Sequence, residues 1–111
     1  MDLRNVVVAI SGASGSIYGI RVLQMLRQVE DVNSHLVITP SAKSTIGVET
    51  EYSVSEIEEL ADEVHSARDI GASIASGSFK TVGMIVAPCS IKTLSAMRIH
   101  LGLTWYRERR M

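Results

Sequence analysis

The sequence predicts an α/β fold with a parallel sheet, and three observations predict it. Val6-Val7-Val8-Ala9-Ile10 and Met84-Ile85-Val86-Ala87 are continuous apolar runs without polar alternation, as expected of strands covered on both faces. Apolar residues at helical spacing follow the first run and precede the second. Strand and helix patterns then alternate along the chain, which calls for right-handed crossovers between parallel strands. The expectation is a Rossmann-like or flavodoxin-like three-layer α/β/α arrangement with a parallel sheet, of which this chain holds the N-terminal part.

The first strand is placed at Asn5 to Ile10 and stops at Ser11-Gly12-Ala13-Ser14-Gly15-Ser16. From Ile17 to Val29 the residues Ile17, Ile20, Leu23 and Leu26 recur every third position, widened by Val22, Met25 and Val29, with Arg21, Gln24, Arg27 and Gln28 largely opposite. That pattern is a helix packed on a sheet. After a Glu30-Asp31 turn, His35 to Thr39 reads as a second strand, and Pro40 marks its exit because proline cannot donate to a ladder. Ser41 to Glu49 is expected to be a short helix. Ser53 with Glu56 three residues later has capping-box spacing, and Val54, Ile57, Leu60, Ala61 and Val64 extend the following helix to Val64. Residues 66–81, rich in Ser, Gly and Ala, read as a short helix and a loop. Gly83 to Ala87 is the third strand, and Ile91, Leu94 and Met97 open another helix after Pro88-Cys89-Ser90.

Composition bounds the function. The 111 residues carry 11 basic and 12 acidic side chains, a formal charge of −1, which argues against a general nucleic-acid binder. With 46% hydrophobic and 21% charged residues the chain is an ordinary globular protein of one domain. The single Cys89 excludes an intrachain disulfide and a cysteine-based zinc cage. No apolar run approaches the ~18 residues of a membrane span, so a cytoplasmic location is expected. Residues 1–97 hold 7 basic against 11 acidic groups, whereas 98–111 hold 4 against 1, so the two regions are read separately.

In parallel sheets, ligands bind beyond the carboxyl ends of strands. Three segments fall there: Ser11–Ser16, Thr39 and Pro88–Thr93. In Ser11-Gly12-Ala13-Ser14-Gly15 the small residues let backbone N–H groups approach an anion at the positive end of the next helix. The loop has neither the full G-x-G-x-x-G spacing nor a P-loop lysine, and a tight glycine turn without a ligand is the alternative. Ser90 reads either as a helix N-cap or, with Lys92 and Thr93, as a second lobe of the same site. Cys89 reads as a small buried hydrophobe rather than a nucleophile. Glu49 is either a surface residue or a site base. His35, His65 and His100 share no metal-ligand spacing, so no metal site is expected. Glu56, Glu58, Glu59, Asp62 and Glu63 read as the solvated face of their helix.

Taken together, several blocks carry a resemblance. Ser11-Gly12-Ala13-Ser14-Gly15 with Ile17-Tyr18-Gly19, His35-Leu36-Val37-Ile38, Glu49-Thr50, His65-Ser66-Ala67-Arg68-Asp69-Ile70, Ser76-Gly77-Ser78-Phe79-Lys80-Thr81, Gly83-Met84 and Pro88-Cys89-Ser90-Ile91-Lys92-Thr93-Leu94 resemble, in order and spacing, the flavin prenyltransferases of the UbiX type. These were formerly described as phenylacrylic, aromatic or 3-octaprenyl-4-hydroxybenzoate carboxy-lyases. The resemblance spans residues 3 to about 97. It implies bound FMN, no metal, a homododecamer, and transfer of a dimethylallyl group from dimethylallyl monophosphate to reduced FMN. The prenylated flavin then serves partner aromatic acid decarboxylases. On the same resemblance, Gly12, Ala13 and Ser14 form the first flavin-binding loop, with Ser14 also near the reacting groups. Thr39 stands where the family usually has a flavin-contacting Ser. Ser90, Ile91, Lys92 and Thr93 form the second flavin-binding segment, and Glu49 is the carboxylate that handles protons around the transfer.

After Ser95-Ala96 the chain departs from the family pattern, so an incomplete flavoprotein domain over residues 1–97 and a divergent tail over 98–111 are expected. Codons for Leu103-Thr104-Trp105-Tyr106 shifted by one base can spell a family-like string, which suggests a frameshifted product. A fragment with a new tail is the other reading. The corresponding functional alternative is a catalytically inactive FMN-binding or assembly fragment.

Overall fold

The two apolar runs and the segment between them build a parallel sheet. A computed structural model describes residues 3–70 and 81–88. Strand β1 (Arg4–Ile10) pairs with β2 (Val32–Ile38) along its whole length, from Arg4 opposite Val32 to Ile10 opposite Ile38. The pairing is set at its start by Arg4, whose N–H donates to the Asp31 carbonyl and whose guanidinium meets the Asp31 carboxylate at 2.9 Å. Strand β3 (Glu63–His65) adds to the outer edge of β2, and β4 (Gly83–Val86) adds to the other side of β1. The order is β3-β2-β1-β4 and every pairing is parallel.

Three helices cover one face. Helix α1 (Ser16–Leu26) connects β1 to β2, and α2 (Pro40–Glu49) and α3 (Val54–Leu60) connect β2 to β3. Both connections step the same way across the sheet, so right-handed crossovers put all three helices on the same side. There Val8, Ile10, Leu36 and Ile38 pack against Ile20 and Leu23 of α1, Ala42 and Ile46 of α2, and Ile57 of α3. The step from β3 to β4 runs in the opposite direction, and the same rule sends it across the other face. Ile70 lies there, in a helical stretch over 67–70 whose first turn Ser66 caps, packed on Val7 and Val37. The expected three-layer arrangement thus follows from strand order and crossover handedness.

Local boundaries follow from specific bonds. Pro40 occupies the first turn of α2, where its missing N–H costs nothing, and Thr39 caps that helix by accepting from the Ala42 N–H. The expected capping box of α3 is complete: the Ser53 hydroxyl accepts from the Glu56 N–H and the Glu56 carboxylate from the Ser53 N–H.

Several expectations are corrected. The first helix, expected through Val29, ends at Leu26, and the N–H groups of Gln28 and Val29 close tighter turns onto Met25 and Leu26. The second strand begins at Val32 rather than His35, because β1 supplies partners over all seven residues. The third helix, expected to reach Val64, stops at Leu60, and Glu63–His65 forms a fourth strand. Its cause is Asp62, whose carboxylate accepts from the Ser34 N–H at 2.8 Å while its own N–H donates to the Ser34 hydroxyl at 3.1 Å. This clasp holds the chain against β2 as it leaves the helix. Asp62 and Glu63 are therefore not part of a helical face. Among the described residues, no helix is long and apolar enough to cross a membrane. The helix expected from Ile91, the loop over 71–80, Cys89 and the tail lie outside the described residues.

Glycines in two helices give opposite expectations. A Cβ on Gly19 would press on the Ala87 carbonyl and come within 2.7 Å of the Ile10 side chain, whereas one on Gly47 would meet nothing within 4 Å. Gly19→Ala is expected to lower unfolding free energy by about 1–3 kcal/mol through overpacking. Gly47→Ala should raise it by roughly 0.5–1 kcal/mol through lower unfolded-state entropy and better helix propensity. Urea denaturation of the two variants beside the parent checks both signs.

Candidate functional site

The strand order reverses at β1, because the chain winds outward through β2 and β3 and then returns to place β4 on the other side. At such a reversal the adjacent carboxyl ends of two parallel strands, here β1 and β4, are where sheets of this kind form a ligand crevice. The Ser11–Gly15 loop leaves β1 at this point and Ala87-Pro88 leaves β4 beside it. Ser11 ties the two: its hydroxyl and its N–H both donate to the Pro88 carbonyl. The exit of β2 joins them through the Thr39 N–H, which donates to the Ile10 carbonyl at 3.0 Å.

The loop's small residues have distinct physical tasks. A Cβ on Gly12 would stand 2.5 Å from Ser41 Oγ, so the absence of a side chain lets the first turn of α2 pack directly on the loop. Thr45 of α2 adds to that contact: its hydroxyl donates to the Ser41 carbonyl at 3.0 Å and lies 3.4 Å from the Gly12 carbonyl. Ala13 is half-buried and Ser14 is exposed at the tip. Gly15 has φ 102°, a left-handed conformation that side chains resist, and from it α1 departs.

The beginning of α1 differs from those of α2 and α3 in having no side-chain cap, and its first turn carries no acidic residue. Its N–H groups and positive dipole end are therefore available to an anion. Ser16, the first helical residue, is fully buried, and its hydroxyl has no hydrogen-bond partner among the described residues. An unpaired buried hydroxyl costs roughly 1–3 kcal/mol.

Glu49 reaches this loop from α2. Its carboxylate accepts from the Gly15 N–H at 3.3 Å. Standing in the last turn of α2, it opposes the negative end of that helix's dipole, so helix stability does not account for a carboxylate there. The structure thus brings together Gly12, Ala13, Ser14, Thr39 and Glu49 of the expected site. Ser90, Ile91, Lys92 and Thr93 lie outside the described residues. Sequence reasoning included Gly15 and Ser16 in the loop segment without a task for either, and missed the Ser11 tie to Pro88. The glycine at a strand-to-helix junction was the available signal for the first, and nothing local signalled the third.

A second polar cluster lies on the face opposite α1. His35 Nδ1 and His65 Nε2 are 2.8 Å apart, although thirty positions separate them in sequence and no ligand spacing links them. Burial is the main influence on the His35 imidazole and lowers its pKa. The Glu63 charge opposes this shift, His65 adds to it and Asp62 opposes it more weakly.

Strand order, an uncapped α1 and a glycine loop beneath a carboxylate define a class: a parallel α/β protein of the flavodoxin-like kind with an anion-ready crevice at its topological switch point. The chain belongs to the Flavoprotein family, whose model matches residues 1–104. It is 55% identical over 95 residues to the flavin prenyltransferase UbiX of Escherichia coli K12, covering 86% of this chain and 50% of that protein. With UbiX of Thauera aromatica it shares 59% over 92 residues, covering 83% of this chain and 47% of the relative. Among solved structures, AnUbiX (PadA1) in complex with FMN and dimethylallyl pyrophosphate superposes with a TM-score of 0.79 at 47% identity, covering 87% of this chain and 51% of that one. A dodecameric FMN-dependent UbiX-like decarboxylase from Escherichia coli O157:H7 gives 0.78 at 46% identity, covering 86% of this chain and 51% of that one. The chain spans about half the length of the curated relatives it matches.

The left-handed Gly15 supplies a test of the loop. Gly15→Ala is expected to cost about 1–3 kcal/mol of stability, from backbone strain and from a Cβ placed 3.0 Å from the Tyr18 ring. Chemical denaturation measures the loss, and Ser14→Ala at the exposed tip should be nearly neutral in the same assay.

Proposed function

We propose that the chain holds FMN at the crevice and acts as a flavin prenyltransferase of the UbiX kind. The reaction transfers a dimethylallyl group from dimethylallyl monophosphate to reduced FMN, and the prenylated flavin serves an aromatic acid decarboxylase. The observation that carries the reading is the uncapped start of α1 beneath the Ser11–Gly15 loop, at the switch point of the sheet.

The residues present fit the group. The open N–H groups of α1 suit a phosphate, the packed Gly12 keeps the loop backbone close to the crevice, and the buried Ser16 hydroxyl has polar capacity that no described residue uses. Gly12, Ala13 and Ser14 would hold the flavin from the β1 side, and Thr39 from the β2 side. Ser90, Ile91, Lys92 and Thr93 are assigned to the β4 side by family resemblance. Bound reduced FMN would supply the nucleophilic ring that accepts the prenyl group.

The chain's own part is binding, orientation and proton handling. Allyl transfer needs a leaving phosphate held by donors and an apolar pocket without competing nucleophiles, which agrees with a site of small residues and hydroxyls. Glu49 is held toward the loop by the Gly15 N–H, and its carboxylate oxygens are the place to take up or return a proton near the reacting groups. Ser14, beside it in the loop, orients the reacting groups. The relatives' assembly suggests a homo-oligomer for this chain, and its composition suggests a cytoplasmic setting.

Anaerobic incubation of the full chain with reduced FMN and dimethylallyl monophosphate, followed by mass spectrometry of the released flavin, tests the proposal. A mass gain of one prenyl unit is expected. Glu49→Gln, which keeps an acceptor for the Gly15 N–H, should retain FMN while slowing transfer by about 100-fold or more. Unmodified FMN retained by the parent chain would leave a binding protein only, and failure to retain flavin would overturn both readings.

A further inference from the structure

We infer that His35, His65 and Glu63 form a binding site for one borderline divalent cation such as Zn²⁺, on the sheet face opposite α1 and apart from the flavin crevice. The register of β2 and β3 builds it. Glu63 pairs with His35 and His65 pairs with Val37, so two histidines and a carboxylate from adjacent strands project from one face as direct and diagonal neighbours. One potential ligand atom from each of the three residues lies within 4.8 Å of the others. Two imidazole nitrogens and a carboxylate oxygen are a donor set suited to zinc and neighbouring transition metals, with water completing the coordination.

The neighbours of the His35 ring point to its ligating nitrogen. The Asn33 amide has two N–H groups, which go to Asn5 Oδ1 at 3.2 Å and Glu63 Oε2 at 2.8 Å. His35 Nε2 lies 3.1 Å from the Asn33 amide nitrogen, 3.4 Å from Glu63 Oε2 and 3.0 Å from Asn5 Oδ1; two of these three neighbours are oxygens that only accept, so Nε2 is the donor. That places the His35 lone pair on Nδ1, the atom facing His65 Nε2. A side-chain carbonyl receiving the distal N–H is the usual way a ligating imidazole is oriented, and here Asn5 supplies it.

The two rings are already aligned. Their planes lie within 19° and their centroids 5.0 Å apart, so with the nitrogens at 2.8 Å they meet edge to edge, lone pair toward N–H. A cation with Zn–N distances of ~2.0–2.1 Å fits between the two nitrogens if each ring draws back by ~0.3 Å and the His65 proton moves from Nε2 to Nδ1, so that both rings ligate as neutral imidazoles. His35 is buried, whereas Glu63 is exposed, which leaves an approach from the β3 edge.

Calorimetric titration of the metal-stripped full chain with ZnCl₂, and absorption spectra with CoCl₂, test the site. One equivalent of Zn²⁺ should bind with micromolar or tighter affinity, and Co²⁺ should develop the visible bands of a four-coordinate nitrogen and oxygen site. His65→Gln is expected to weaken Zn²⁺ by at least about 100-fold, and Glu63→Gln by about tenfold. Cys89→Ser and His100→Gln should leave the affinity unchanged. If His65→Gln does not fold, the exposed Glu63→Gln decides. No Zn²⁺ binding by the parent chain, unchanged affinity in either site variant, or loss of binding in Cys89→Ser or His100→Gln would overturn the site.

Discussion

The carboxyl end of the sheet depends on β1 being paired on both sides. Val7, Val8 and Ile10 are completely removed from solvent, which requires β2 and β4 beside the strand and packed layers above and below it. Right-handed crossovers then leave little freedom. Two successive steps outward put α1, α2 and α3 on one face, and the return to β4 must cross the other. The crevice at the end of β1 is the geometric result of that reversal, and the Ser11 bonds to Pro88 hold its two sides together.

The two faces of the sheet are chemically unlike. The helix-covered face is apolar almost throughout, with Ser34 and its clasp to Asp62 near the β3 edge. On the opposite face an apolar patch of Val7, Ala9, Val37 and Met84 gives way toward β3 to Asn5, Asn33, His35, Glu63 and His65. A one-residue slip of β2 would exchange these sets, bringing His35 under the helices and Leu36 beside Glu63. Polar bonding on one face and apolar packing on the other therefore specify the same register.

Much of this was legible because its cause is local. The apolar runs at 6–10 and 84–87, the stripe along α1, the capping box at Ser53 and the glycine loop each report a backbone preference carried by neighbouring residues. The missed features are settled by distant ones. Val64 fits a helical stripe as well as a strand, and only the Asp62 clasp to Ser34, 28 positions away, decides between them. The extra length of β2 comes from β1, and the meeting of His35 with His65 comes from register. Strand–helix alternation placed Gly12, Ala13, Ser14 and Thr39 at strand carboxyl ends, and family resemblance added Glu49 and the expected role of each. The tasks of Gly15 and Ser16 emerged only from backbone conformation and burial.

The tie between Ser11 and Pro88 spans 77 positions, whereas β1 and β2 are offset by 28 in register. Loop closure grows costlier with length, and distant pairings slow the search for the native state. The β1–α1–β2 unit, with shorter loops and the apolar face of α1 already at hand, has the kinetic advantage. Docking of β4 against β1 belongs to a later stage of self-assembly. The crevice is therefore among the last features to take shape, and any molecule held there selects chains that have finished folding.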